Sequence, residues 1–395
     1  MEITREQQFI LKLVSNELFD VPFVFDNIDG LDFEYIKKKV KEQKLDVIML
    51  SALIKNNINN EYTNYLKKRQ IQIILLTTNQ EKEYRLLADL FDNNNIDYIP
   101  VKGTDMKDYY PSKDMRLMGD MDILIKENKR KEIYKLLTSN GYVLDGKLNS
   151  ADHHDIYDHG KYGHFEIHFR LFSTGDKTMA YFDDNVWDNQ DNHRLDDEFN
   201  VAYLCGHYAK HVRHGGGSYK SIIDIGLLML KKNIDYDKLK DILIKSNLYD
   251  FFNNIIAIFN YSFNQHIKAF EDKFDEEELK ELVNFLFVCG DFGFGDENDV
   301  DHRLAVNEMS KDGKITIFTK IKYLIKQVCL PYSQFKYLSK AVRYCPILLP
   351  FGWIWRLLRF MITKRDRLKE RLSAVHNVKN QDIEDNKIID KLLNK

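Results

Sequence analysis

Cysteine is scarce in this sequence. The four present, Cys205, Cys289, Cys329 and Cys345, are widely spaced and form no Cys-x-x-Cys pair, which argues against a disulfide framework or a thiol-rich metal site. The opening MEITREQQFILKLVSNELF lacks the basic, apolar and small-residue blocks of a secretory leader, so the expectation is a reduced, cytoplasmic protein. Neither sign of charge dominates: the net charge is −3 with a pI near 6.5, and nothing global demands a stable nucleic-acid partner. No internal repeat or low-complexity tract stands out. What remains is a chain of 395 residues, 44% hydrophobic, with ample material for a packed core and a length that suggests two or three structural units.

Most of the chain carries the helical period. Phe9, Leu13 and Leu18, then Tyr35, Ile36 and Val40, then Val47, Leu50, Leu53 and Ile54 recur at steps of three and four, which predicts a helical region over residues 1–78. The run QEKEYRLLADLFDNNN predicts an amphipathic helix ended by asparagines, and IDYIPV after it a short buried strand. MDILI predicts a second strand, KENKRKEIYKLLTSNG a helix closed by glycine, and YGHFEIHFRLF a third strand. An α+β core with a small mixed sheet is therefore expected over 79–172, flanked by helical regions. A helical bundle is expected over 173–330 and a basic, aromatic-rich tail over 331–395, its last residues polar and frayed.

Chemistry concentrates in the core. In GDMDILI, alternation directs Asp120 and Asp122 to one face and Met121, Ile123 and Ile125 to the other, and two carboxylates entering an apolar strand call for a cation. Aspartates at this spacing suit a hard divalent metal that leaves room for phosphate oxygens. Two other Asp-x-Asp pairs, Asp235 with Asp237 and Asp299 with Asp301, lie in polar, turn-like surroundings and are expected to cap helices or face solvent. On the third strand His164, Glu166 and His168 share a face, so Glu166 can stand beside the aspartates. Upstream, Lys102, Gly103 and Thr104 follow a strand directly, as a phosphate-binding turn would, with Lys102 or Arg116 to neutralise charge.

Together these residues resemble the nucleotidyltransferase superfamily typified by DNA polymerase beta and the aminoglycoside and lincosamide nucleotidyltransferases. The segment VKGTDMKDYYPSKDMRLMGDMDILI, with FEIHFRLF and LCGHYAKHVRHGGGSYKSIIDIGLLM after it, is more closely similar to bacterial proteins called uncharacterised nucleotidyltransferases. The chain departs from the superfamily in having Thr104 at a position commonly Ser or Gly, and in a longer interval from Gly103 to Asp120. The resemblance implies that Asp120, Asp122 and Glu166 are catalytic metal ligands. It implies that Lys102, Gly103 and Thr104 bind the triphosphate, and that Arg116 contacts phosphate or anchors the metal strand. Mg²⁺, or Mn²⁺ in its place, would be the cofactor and a nucleoside triphosphate the donor. A sugar or glycan intermediate is the first choice of acceptor, with a protein or RNA acceptor second and a non-catalytic nucleotide-binding module as the non-enzyme alternative.

Nine of the twelve histidines lie between His153 and His214. His207 and His211 are four apart on a predicted helix with Asp224 on the next. With His168 they are expected on the acceptor side of the cleft, with hydrogen bonding between helices as the equal alternative for His207, His211 and Asp224, and a zinc hydrolase built on them is the competing reading. His153, His154 and His159 are expected in a solvated loop. Residues 346–371 mix Trp353, Trp355 and Phe360 with Arg356, Arg359 and Arg365; the apolar run is too short and too interrupted to span a membrane, so packing on the bundle or a peripheral membrane contact is expected.

Overall fold

The computed structural model describes residues 2–146, 148, 153–173, 179–213, 216–289, 305–306, 308–310, 313–335, 339–363 and 365–394. The chain divides into two compact units, one formed by Met1–Lys210, Gly217–Asp291 and Leu392–Lys395, the other by His211–Gly216 and Phe292–Lys391.

The first unit opens with helices α1 (Arg5–Phe19), α2 (Phe33–Glu42), α3 (Asp46–Lys55) and α4 (Glu61–Asn93). No Gly or Pro interrupts residues 61–93, and the Asn60 side chain caps the start, so α4 runs unbroken for 33 residues. It passes straight through position 78, where the sequence reading placed a boundary. Then come β1 (Tyr98–Pro100), a short turn of helix α5 (Gly103–Met106), β2 (Met121–Ile125), α6 (Arg130–Ser139), β3 (Val143–Asp145), β4 (His154–His159) and β5 (Gly163–His168). The sheet order is β1-β2-β5-β4-β3, mixed because β2 and β5 are parallel while every other pairing is antiparallel. The α+β class expected from sequence is the observed one.

Two strands of this sheet, β3 and β4, were not foreseen. His154 and His159, expected in a loop, begin and end β4, whose polar composition (HDIYDH) hides the alternation. On one of its faces Tyr157 joins the core and Asp155 is neutralised by Arg130 of α6 at 2.6 and 2.8 Å. The core face of the sheet, Met121, Ile123, Ile125, Phe165 and Ile167, packs on Leu87 and Phe91 of α4 and on Ile133 and Leu137 of α6. Each such side chain contributes roughly 1.5–3 kcal/mol on burial, enough to hold the register of the strands.

The helical part continues with α7 (Ala180–Asn185), α8 (Asp197–Arg213, whose last turn belongs to the second unit), α9 (Tyr219–Lys231), α10 (Tyr236–Lys245), α11 (Tyr249–Phe263) and α12 (Glu276–Cys289). The N-terminal helices are tied into this bundle: Gln43, fully buried, donates to the Leu286 carbonyl at 2.8 Å and accepts from the Tyr219 amide at 2.8 Å. On α9 a Cβ at Gly226 would lie 2.0 Å from the Phe259 ring, so only glycine lets α9 and α11 approach this closely. Asp235 caps α10, accepting from the amides of Asp237 and Lys238, as expected; Asp299 and Asp301 lie outside the described residues.

The second unit has its own small core of Ala305, Val306, Met309, Tyr323, Val375 and Val378. The C-terminal stretch expected to fray instead forms the Gln381–Asn394 helix, with Ile383, Ile389 and Leu392 buried.

Candidate active site

The register of β2 and β5 builds the site. Asp122 stands directly opposite Glu166, and the neighbouring pairs Met121–Phe165 and Ile123–Ile167 point into the core, so the two carboxylates project together from the other face. His168, two residues along the same face of β5, is only 2% exposed; its Nε2 lies 2.8 Å from Asp122 Oδ1 and 3.3 Å from Glu166 Oε2. Asp120 immediately precedes β2. Burial, then the charges of Asp122 and Glu166, raise its carboxyl pKa, which places it electrostatically beside both.

The protein brings its own cation to this cluster. Lys102 Nζ hydrogen-bonds Asp122 Oδ1 and lies 3.5 Å from His168 Nε2. Burial by itself would lower the Lys102 pKa, but Asp122 outweighs it and holds the ammonium charged. Burial likewise opposes ionisation of Asp122, and Lys102 with His168 reverses this and depresses its pKa. Glu166 also lies below the ordinary range, burial being outweighed chiefly by the hydrogen bond with His168. Two ionised carboxylates therefore share the site with a third carboxyl whose ionisation they oppose.

The turn after β1 delivers the lysine. Val101 closes the ladder by donating to the Asp122 carbonyl at 3.1 Å, and Lys102 then adopts φ 53°, ψ −128°, a region that suits glycine and costs other residues about 1–3 kcal/mol. Thr104 accepts at Oγ1 from the Asp122 amide at 3.1 Å and so ties the turn to β2. At Gly103 a Cβ would sit 3.3 Å from Met118 Cβ and 3.4 Å from Arg116 Nη1, so the absence of a side chain is explained here by protein packing.

Other expected site residues lie elsewhere. Arg116 and Asp224 are both buried and engage each other: Nε donates to Oδ1 at 2.8 Å and to Oδ2 at 3.0 Å, and Nη2 to Oδ2 at 2.7 Å. Tyr110 adds an O–H bond to Asp224 Oδ1 at 2.8 Å, and Arg116 Nη1 holds the Leu117 carbonyl at 2.7 Å. These bonds tie the segment that leads into β2 to α9. The oxygens of Asp224 are engaged by Arg116 and Tyr110, the structural hydrogen bonding that was one of the roles expected for it. The His168 ring sits among the carboxylates. His207 is half-buried on α8, 6.4 Å from the Tyr203 ring between centroids, and His211 is exposed and belongs to the second unit.

One residue escaped the sequence reading. Tyr203 of α8 is fully buried, its hydroxyl has no hydrogen-bond partner among the described residues, and it feels the charges of Lys102, Asp122 and Glu166. Its only signal in sequence was a tyrosine amid helical apolar residues, the commonest of core patterns.

The donor set fits a divalent metal. Asp122, Glu166 and His168 each offer one ligand atom within 4.8 Å of the others, the one such cluster among the described residues, and the Lys102 ammonium shows that the position at Asp122 accepts positive charge. Two carboxylate oxygens and one imidazole nitrogen make up the set, with Asp120 adjacent. A groove of about 600 Å³ between α4 and residues 112–114 includes none of these groups.

No curated protein and no solved structure matches this chain. A family profile described as "Uncharacterised nucleotidyltransferase" matches residues 29–264, which takes in the sheet, the Lys102 turn, the carboxylates and helices α2 to α11. With more than half of the chain matched, this protein belongs to the uncharacterised nucleotidyltransferase family.

Proposed function

We propose that this protein transfers a nucleoside monophosphate from a nucleoside triphosphate to a hydroxyl- or phosphate-bearing acceptor, using Mg²⁺ or Mn²⁺ held by Asp122 and Glu166 with Asp120 and His168 beside them. The observation that carries the reading is the pairing of Asp122 with Glu166 across parallel strands, with a cation of the protein's own already seated at Asp122. When bound, the metal supplies charge neutralisation for the triphosphate and orients its phosphates. Lys102 supplies further positive charge on the phosphate side. Glu166, less buried than Asp122 and ionised, takes the proton from the incoming acceptor hydroxyl. The products are a nucleotidylated acceptor and pyrophosphate.

The test is incubation with each of the four nucleoside triphosphates, labelled at the α-phosphate, with Mg²⁺ or Mn²⁺ and a cell extract. Label should move to an acceptor with at least one nucleotide, and both chelation and Asp122→Asn should abolish the transfer. Absence of transfer with all four, or transfer by the Asp122→Asn protein, would refute the proposal.

A further inference from the structure

Helices in a folded unit turn their apolar sides inward, and two helices of the second unit do not. The Ile317–Val328 helix is capped by Thr316 and buries Thr319 and Tyr323, the latter in the core of the unit. Its opposite side exposes Ile317 (79%), Phe318 (75%), Ile321 (49%) and Ile325 (55%), spaced as one stripe along three turns. The adjoining Leu349–Thr363 helix repeats the pattern. Its inner side is closed: a Cβ at Gly352 would come within 2.8 Å of the Phe335 ring, and Trp353 donates to the Leu330 carbonyl at 2.9 Å. Its outer side still presents Phe351, Ile354, Trp355 and Leu358 to solvent. A helix apolar all round is normally buried on both sides; here one side is covered by the protein and the other is left open.

Charge identifies the cover. Between Gly313 and Arg371 there are fourteen lysines and arginines and two acids, in a chain whose net charge is −3. Lys314 and Lys322 are exposed at the Ile317–Val328 helix, and the Arg359 guanidinium lies 5.2 Å over the exposed Trp355 ring, putting cation and aromatic on the same outer surface. From this we infer that the two helices form a platform that docks on an anionic lipid surface. Aromatic and aliphatic side chains enter the headgroup boundary while the cations meet lipid phosphates. No helix among the described residues is long and apolar enough to cross a membrane, so the platform lies on the surface. A second copy of the chain is the poorer occupant, because it would set one strongly basic face against another. Nucleic acid would satisfy the cations and leave the isoleucine stripe exposed. The inference is independent of the nucleotidyl-transfer reading, since none of the carboxylate-site residues belongs to these helices.

Co-sedimentation of the full chain with vesicles of phosphatidylcholine, with and without phosphatidylglycerol, tests it. The chain should sediment with the anionic vesicles, much less with the neutral ones, and be released by salt. Phe318→Ser and Trp355→Ser should each weaken anionic-vesicle binding by about tenfold. Lys322→Glu should weaken it on anionic vesicles alone. All three positions are exposed, so an unchanged far-UV spectrum and melting midpoint would show that each variant folds. Failure to bind either vesicle, or binding by Phe318→Ser and Trp355→Ser equal to the parent, would overturn the inference. So would self-association of the parent that both serine variants abolish, which would assign the platform to a second copy.

Discussion

Asp224→Asn gives the sharpest test of how this fold supports its site. The substitution keeps the shape of the side chain and removes its charge, taking from the buried Arg116 guanidinium the carboxylate that accepts three of its hydrogen bonds. Both side chains are almost inaccessible, at 7% and 4%, and three Arg116 hydrogen bonds plus one from Tyr110 converge on the carboxylate. Breaking a buried pair of this kind from one side costs about 3–5 kcal/mol, far above the value of an exposed ion pair. With a urea slope of roughly 3 kcal/mol/M, the midpoint of the first unit should fall by about 1 M or more. The assay is urea unfolding followed by near-UV circular dichroism, with Asp235→Asn as the comparison. Asp235 caps α10 from the surface, asparagine caps equally well, and its midpoint should not move. The double variant Arg116→Met, Asp224→Leu should regain most of the loss, since an apolar pair leaves no buried charge. If Asp224→Asn left the midpoint unchanged and altered nucleotide or acceptor affinity, the structural role assigned to the pair would be wrong.

The two aspartates of the site should part company in stability while agreeing in activity. Asp120→Asn and Asp122→Asn should both abolish turnover. Because the pKa of Asp120 is raised in the folded protein, its charge destabilises as pH climbs, and Asp120→Asn should raise the melting midpoint at pH 7; Asp122, depressed by Lys102 and His168, contributes stability present above the ordinary carboxylate range, and its replacement should lower it. Equal shifts in both variants would contradict the assigned environments. Lys102→Gly removes both the strained φ and the ammonium that competes for Asp122, so Mn²⁺ should bind the nucleotide-free protein more tightly by electron paramagnetic resonance titration, while transfer slows by about a hundredfold. Unchanged Mn²⁺ affinity would mean that the lysine does not compete with the metal. Asp105 is 7% exposed, accepts from Asn200 at 2.9 Å, and is pushed by burial up to about 6. Its contribution is complete below about pH 4 and is lost as pH rises through 6, so Asp105→Asn should gain on the order of 3 kcal/mol at pH 8 and flatten that pH dependence in denaturant titrations. A pH profile identical to the parent's would refute it.

Local pattern was enough to read the strand MDILI, the alternation that separates Asp122 from Met121 and Ile123, the companion strand with Glu166, and the Asp235 cap, because each depends on residues within one element. The sequence also carried the family resemblance in a contiguous stretch from Val101 to Ile125. It concealed β4, since HDIYDH has too little apolar contrast for its alternation to register until Tyr157 and Asp155 are seen to have a core and an arginine to face. It also invited a boundary near residue 78, where helix propensity continues and α4 does not break. The partners of charged groups were decided by tertiary structure alone. Lys102 meets Asp122 across 20 residues, His168 meets it across 46, and Arg116 meets Asp224 across 108. Side chains so far apart in sequence become neighbours only when sheet register and helix packing place them, and a buried charge then takes whichever counter-charge that packing brings within reach.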